Sequence, residues 1–429
     1  MNDEVSTNDN DSYKNKNIIS KYKYSFNDIF SFRGNLRYSN SFLNYDEVSQ
    51  GRTDDNNSSD DNELSYSLKL ISDYGKHKNT FLYNHTNIER ATKTYENALK
   101  NYYGYRDSIN FIGELNFNLD NKLLYGLDHE FDEAKFQKDW PTDYLKSDEA
   151  IYSQYFDFQF RPSEKVYSTI GLRRDDHTTA GSYNTGRVTL AYVLDNNSKI
   201  RSSFGTGLRF PTLYDYFYGT AVTNKEDLKP EKSKSFDVGY EKYFQILDAN
   251  VVLSVFNIEY EDPLEGWQSH GWKVKNANAK IKSKGIEIAS DWKFNKNFNF
   301  DINYNYSDTY DGADCDDPDV GATSCIDESI VRVPRHSWSV ILNYSKNRLK
   351  QNLGLNFSDE VRDYGNQNNS FADVILEKYY LANYDFKYQI NNNLDFYFNV
   401  ENIFNENYEQ AYMYSTMDRA FNIGISSKF

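Results

Sequence analysis

Phe30-Ser31-Phe32-Arg33-Gly34-Asn35-Leu36-Arg37-Tyr38-Ser39 alternates without a fault. Phe30, Phe32, Gly34, Leu36 and Tyr38 fall on one side of an extended chain, and Ser31, Arg33, Asn35, Arg37 and Ser39 on the other. A strand divided this way has two faces that want different solvents. The period returns in Leu64, Tyr66, Leu68 and Leu70 against Ser65, Ser67 and Lys69, and in Phe298, Phe300, Ile302, Tyr304 and Tyr306 against Asn299, Asp301, Asn303 and Asn305. Leu394, Phe396, Phe398 and Val400 repeat it near the end. A soluble sandwich would pack its apolar face on a second sheet and turn every 8 to 12 residues or so, and these strands are too long and too many for that.

The connections decide the class. Asp120-Asn121, Asp195-Asn196-Asn197, Asn295-Lys296-Asn297 and Asn391-Asn392-Asn393 are tight turns, and between them lie long polar stretches at 49–63, 210–230 and 311–325. Short turns at one end and long loops at the other describe a membrane barrel. The expected fold is all-β: a large antiparallel transmembrane β-barrel of about 18–22 strands, with short periplasmic turns, long extracellular loops and a lumen wide enough to need a plug or carry water. Residues 1–27 read as a polar segment with one partial strand near Ile18 to Tyr24, and residues 28–429 as the barrel.

Composition agrees. The chain has 429 residues, and its 38 Tyr and 29 Phe are far more amphipathic rings than globular burial explains; a barrel uses them as girdles at the two membrane interfaces. No apolar run approaches the 18 or so residues that a spanning helix needs. A net charge of −16 and the lack of a basic stripe exclude a nucleic-acid partner. The opening MNDEVSTNDNDSYKNKN has no apolar centre and is not a secretory signal peptide. Asp128-His129, Asp176-His177 and His336-Ser337 resemble acid–base pairs, but neighbours on a strand point to opposite faces and form no dyad. With no nucleophile turn, phosphate loop or zinc helix either, the chain reads as no enzyme.

Four stretches carry a family resemblance. Ser203 to Leu213, with Phe210-Pro211-Thr212-Leu213, leaves a strand for a loop, and Leu228-Lys229-Pro230-Glu231-Lys232-Ser233 re-enters the sheet. Both prolines sit where the chain leaves or joins the ladder, because neither can donate a hydrogen bond within it. Lys275-Asn276-Ala277-Asn278-Ala279-Lys280, continuing to Glu287, reads as one long descending strand. Val331 to His336 and Val400 to Glu409 complete the set. From about Phe30 to Phe429 the chain resembles the barrel of TonB-dependent outer-membrane receptors, most closely the cobalamin (vitamin B12) branch. It departs in having Phe210 where the family often has Ala, and Lys225-Glu226-Asp227-Leu228 where it has Asn-Pro-Xaa-Leu.

The resemblance implies energised uptake of a scarce nutrient, cobalamin first, with a ferric siderophore or haem as the alternative and a passive porin as a reading from another class. It implies outer-membrane lipid as surroundings and recognition by the barrel-assembly machinery through the terminal Phe429. TonB would act through a plug and TonB box that lie outside this sequence. On this reading the chain is a fragment that also lacks an early hairpin or two, the lesser alternative being a plugless barrel.

Candidate sites follow. Asp54, Asp55, Asp60 and Asp61 offer the hard oxygen ligands that calcium prefers, as similar early loops do in the cobalamin branch, against the plainer reading of a solvated acidic loop. Asp314, Asp316, Asp317 and Asp319 form a weaker second cluster. Loop aromatics Tyr214, Tyr216, Phe217, Tyr218, Trp267 and Trp272 are candidate substrate contacts, against the plainer role of interface anchors. Cys315 and Cys325 would, if paired in an oxidising compartment, close a loop of about ten residues and contribute about 2–3 kcal/mol; the alternative is two reduced thiols. Apart from structural calcium, no cofactor is expected.

Overall fold

The computed structural model of the protein describes residues 12–45, 57–93, 99–137, 144–195, 197–216, 227–267, 273–277, 279–312, 329–367, 370–414 and 416–427. The chain runs first through β1 (Tyr13–Ser25), β2 (Phe30–Tyr45), β3 (Asn57–Asp73), β4 (His77–Lys93), β5 (Leu99–Asn116) and β6 (Lys122–Gln137). Next come β7 (Tyr144–Ser163), β8 (Val166–His177), β9 (Gly181–Asp195), β10 (Ser198–Arg209), β11 (Glu231–Phe244) and β12 (Ala249–Glu261). A short hairpin, β13 (Leu264–Trp267) and β14 (Lys273–Asn276), precedes β15 (Lys280–Trp292), β16 (Phe298–Asp311), β17 (His336–Lys346) and β18 (Leu349–Ser358). A second hairpin, β19 (Val361–Gln367) and β20 (Ser370–Leu376), precedes β21 (Tyr379–Asn391), β22 (Leu394–Glu401) and β23 (Ala420–Ser427).

Apart from the two hairpins, these strands form one 19-stranded sheet in which each pairs antiparallel with its neighbour in the chain. Among the described residues β1 pairs only with β2, and β23 only with β22. The register is the one the alternation demands. Phe32 faces Leu70, Gly34 faces Leu68, Leu36 faces Tyr66 and Tyr38 faces Leu64, so one apolar face runs on from strand to strand.

That face is turned outward. Leu68 is 43% exposed, Leu127 58%, Leu172 52% and Phe204 50%, the reverse of a soluble protein. A continuous apolar exterior matches lipid. The inner face carries the charges, and ion pairs neutralise many of them: Arg106 with Asp132 at 2.6 Å, Arg173 with Asp128 at 3.0 Å and Arg187 with Asp157 at 2.6 Å between strands, and Arg173 with Asp175 at 2.8 Å along β8. Aromatics gather toward both ends of the strands. Phe117 packs on Phe158, Trp292 on Phe300 and Phe298 on Tyr344 near the short turns, while Trp338, Phe357 and Tyr380 pack together toward the long loops. These are the two girdles that the Tyr and Phe surplus implied.

Three boundaries differ from those read in the sequence. The partial strand near Ile18 is a full strand, paired with β2 from Tyr13 to Ser25, so residues 13–25 belong to the sheet. The stretch from Lys275 to Glu287 is interrupted between β14 and β15. There the Asn276 side chain leaves the ladder, donating to the carbonyls of Lys229 and Asp262 at 2.8 and 2.9 Å and accepting the Lys229 amide at 2.7 Å. Finally, β3 begins at Asn57, so the latter part of the acidic segment is strand rather than loop.

Candidate ligand-binding mouth

At the long-loop end of the sheet, residues 210–216 after β10 and 227–230 before β11 are held by side chains from several elements. Arg209 ends β10 and grips Glu231, the first residue of β11, through both its Nε and its Nη2, the latter at 2.9 Å. Glu231 also accepts the Leu264 amide at 2.8 Å, which ties the hairpin β13–β14 to the same point. Pro211 and Pro230 are both fully buried at the exit and the return, where a missing N–H costs the ladder nothing.

Between the prolines the chain makes a tight turn. The Asp215 carboxylate accepts the Thr212 amide at 2.7 Å, and the Asp215 amide donates to the Thr212 carbonyl at 3.0 Å. The turn drives Leu213 and Tyr216 into an apolar cluster with Leu228, Val274 and Ala134, bordered by Phe136 and Leu264. Four separate parts of the chain meet there. Burial pushes the Tyr216 phenol above its ordinary range, and the carboxylates of Glu149 and Asp215 add to the effect.

Beneath this turn lies a buried polar pair. His177 Nδ1 accepts the amides of Thr179 and Ala180 at 3.1 and 3.0 Å, which leaves the proton of the neutral ring on Nε2. Nε2 faces Glu149 Oε2 at 3.3 Å without the alignment of a hydrogen bond, and both atoms are buried. The imidazole stacks on Phe210, centroids 4.7 Å apart. Alternation placed Asp176 and His177 on opposite faces, and they lie so: Asp176 pairs outward with Arg174 at 3.0 Å. A polar cavity of about 330 Å³ opens below, lined by Asp128, Glu130, Arg173, Asp175 and Phe210 among others. A larger one of about 540 Å³ includes Phe111, Leu127, Phe156 and Leu172 from the outward face and suits lipid better than a polar ligand.

A second clamp holds the other side of the mouth. Arg332, at φ 60°, donates from Nε to Asp363 Oδ1 at 2.8 Å, and the other Asp363 oxygen accepts the Tyr412 amide at 2.7 Å. Asp363 is fully buried, and Arg362 beside it pairs with Asp373 at 3.3 Å. The Val331 to His336 stretch is thereby tied to β19 and to the chain before β23.

The residues singled out in the sequence are scattered. Tyr214 is 55% exposed with its ring 6.2 Å from that of Phe136, whereas Tyr216 is 1% exposed and packs under the turn. Trp267 closes β13 opposite Lys273. Phe217, Tyr218 and Trp272 lie outside the described residues, as do Asp54, Asp55, the cluster from Asp314 to Asp319, Cys315, Cys325 and Phe429. Asp60 and Asp61 are adjacent in β3 and point to opposite faces, the first accepting from Asn40 at 3.2 Å and the second held by Arg90 at 2.6 Å. Among the described residues no three His, Cys, Asp or Glu side chains converge to hold a metal ion. The cross-links through Asn276, Asp363, Glu149 and His177 were not foreseen. Glu149 and His177 carry one sequence signal, a polar side chain on the inward parity near the loop end of a strand of the large sheet, whereas Asn276 and Asp363 lie in the separate hairpins and carry none.

The family described as "TonB dependent receptor-like, beta-barrel" matches residues 2–403. A vitamin B12 transporter, BtuB, of Vibrio vulnificus strain CMCP6 is 24% identical over 291 residues, which is 64% of this chain and 44% of that protein. The chain thus spans less than half the length of this curated relative. Among solved structures, a variant of the ferric enterobactin receptor PfeA from Pseudomonas aeruginosa superposes with a TM-score of 0.81 at 14% identity, over 98% of this chain and 70% of that one. The siderophore receptor PirA from Acinetobacter baumannii gives 0.75 at 15%, over 98% and 71%. The architecture is that of a Gram-negative outer-membrane receptor barrel. The chain belongs to the TonB-dependent receptor family, through its β-barrel.

Proposed function

We propose that the chain forms the wall and mouth of an active importer that captures an iron chelate, such as a ferric siderophore, at the cell surface. The observation that carries this reading is the shared architecture, over 97–98% of the chain, with receptors whose names specify siderophores or iron. The mouth fits such a role. Its floor is fixed by Tyr216, Asn276 and Asp363, while Tyr214 presents an exposed ring that can pack on a planar aromatic group of the chelator. Cobalamin is the second reading, favoured by the sequence likeness to BtuB proteins. In either case the work is binding and vectorial release, with no covalent step.

Quenching of intrinsic fluorescence in the refolded barrel, titrated in parallel with ferric enterobactin and cyanocobalamin, separates the two. Saturable quenching by the ferric chelate, weakened severalfold in Tyr214→Ala, is the expected result. Binding of cyanocobalamin alone would transfer the proposal to the second reading.

A further inference from the structure

At the long-loop end β8 and β9 are joined by a tight turn, residues 178–180, and that turn is built around His177. Nδ1 accepts the amides of Thr179 and Ala180 at 3.1 and 3.0 Å. Thr178 ties the turn to β7, its amide donating to the Ala150 carbonyl at 3.0 Å and its hydroxyl accepting the Ala150 amide at 3.0 Å. The ring is wholly buried and lies under Phe210, the two planes inclined by 26°. Its other nitrogen is left over. Nε2 stands 3.3 Å from Glu149 Oε2, and among the described residues neither atom has a hydrogen-bond partner. A histidine that merely caps a turn would satisfy its second nitrogen too. Here one nitrogen serves the turn only while the ring is neutral, and the other faces a carboxylate that draws the ring toward its charged form.

The groups around the pair are otherwise engaged. Asp132 of β6 stands directly opposite Glu149 and is held by Arg106 at 2.6 Å; Arg106 and Glu130 are near enough to Glu149 to feel its charge. On β8 itself Asp175 is held by Arg173 at 2.8 Å and by Ser153 at 2.6 Å, and Asp176 is turned outward to Arg174. β9 places Gly181 opposite His177, and the Tyr183 ring meets Phe210 edge-on. From the mouth segment Asp215 is occupied by Thr212, and the Tyr216 phenol lies within the field of Glu149.

We propose that His177 is a proton-operated latch of the mouth: neutral, it holds the β8–β9 turn closed beneath Phe210; protonated, it lets both go. A proton on Nδ1 turns the acceptor of two amides into a donor facing two donors. The charge on the ring then draws it toward Glu149 and β7. The amides of Thr179 and Ala180 pass to water, and Phe210 loses the surface it stacks on. Phe210 begins the segment that carries Leu213 and Tyr216 into the floor, so loosening passes from the turn to the mouth. The closed state binds fewer protons, so the latch holds at higher pH and is lost as pH falls. It does not depend on which chelate the mouth takes.

Hydrogen–deuterium exchange of the detergent-refolded barrel, read by mass spectrometry and divided by the intrinsic rate at each pH, tests it. Between about pH 8 and about pH 5, the range in which histidine changes charge, peptides covering 178–181 and 210–216 are expected to lose protection by at least about tenfold. The turn at Gly75, far from any such pair, should keep its own. His177→Asn puts a non-titrating oxygen where Nδ1 stands and should leave both segments protected at both pH values. Should that variant not fold, Glu149→Gln gives the second reading: without the carboxylate's pull, loosening should require a lower pH. Exchange that does not change with pH overturns the latch, as does an acid response that survives His177→Asn, which would move the titration to Asp215 or another carboxylate. Loosening of Glu149→Gln at the same pH as the unaltered barrel would remove Glu149 from the device and overturn it as a pair.

Discussion

Tyr214 and Tyr216 are two positions apart, and in a strand they would share a face. They do not, because Asp215 folds the segment back on Thr212, so one ring goes to solvent and the other into the cluster with Leu213, Leu228 and Val274. The same distinction sets a pH response. The Tyr216 phenol is raised from its ordinary value of 10.0, so above about pH 10 an unfolded mouth releases this proton while the folded one keeps it. Stability conferred by the cluster is therefore complete below that pH and declines as pH rises toward the folded value. Tyr216→Phe should abolish this alkaline loosening while changing stability at neutral pH by only about 1 kcal/mol. Protease sensitivity of the segment after Arg209, followed from pH 8 to 11, reads both effects. From the sequence alone Tyr216 looked like a ligand contact: loop aromatics are legible as a class, but which one turns inward depends on Val274 and Ala134, residues remote in the chain.

At the scale of strands and turns far more was legible. Alternation through Phe30 to Tyr38 and Leu64 to Leu70 gave the face, and the Asn- and Asp-rich turns gave the ends. Both are local consequences of chain geometry. The hairpins β13–β14 and β19–β20 were not foreseen, since they are folded by side chains reaching across loops, Asn276 to Lys229 and Asp363 to Arg332 and Tyr412. Glycine on the strands has a packing role that the sequence also hides. A Cβ built on Gly126 would lie 2.4 Å from the ring of Tyr155, its direct cross-strand partner, and one on Gly424 would meet Tyr397 in the same way. Each inward Tyr lies flat over a glycine. Gly126→Val should force the Tyr155 ring off the wall and cost about 1–3 kcal/mol, whereas Gly104→Val, where nothing stands within 4 Å of the new Cβ, should cost less. Urea unfolding of the barrel in lipid vesicles, with gel mobility as the readout, would rank the two. Equal losses would mean that β propensity and not the ring contact governs these sites.

Among its described residues, the molecule taken as a whole has no interior of the soluble kind. Its few buried apolar side chains gather mainly at the mouth, and the bulk of its Leu, Ile, Val and Phe faces outward as one surface. Its stability must then come from lipid on one side of a single layer and from ion pairs and amides on the other. Two neighbouring residues test this division. Leu68 is on the outer face and Ser67, hydrogen-bonded to Asn35 at 3.0 Å, is on the inner one. Leu68→Arg puts a cation into hydrocarbon and should destabilise the inserted barrel by about 2–4 kcal/mol. Ser67→Arg adds the same charge one position along but in the polar lumen. It loses a hydrogen bond worth about 1 kcal/mol and meets Lys69 and Arg33 nearby, so its penalty should shrink as salt is added while that of Leu68→Arg does not. Reversible unfolding in vesicles at two salt concentrations distinguishes a dielectric cost from a screened one. A salt-dependent penalty at Leu68 would place that residue in water and reverse the assignment of inside and outside for the whole sheet, because the continuous pairing of its 19 strands leaves none of them free to differ.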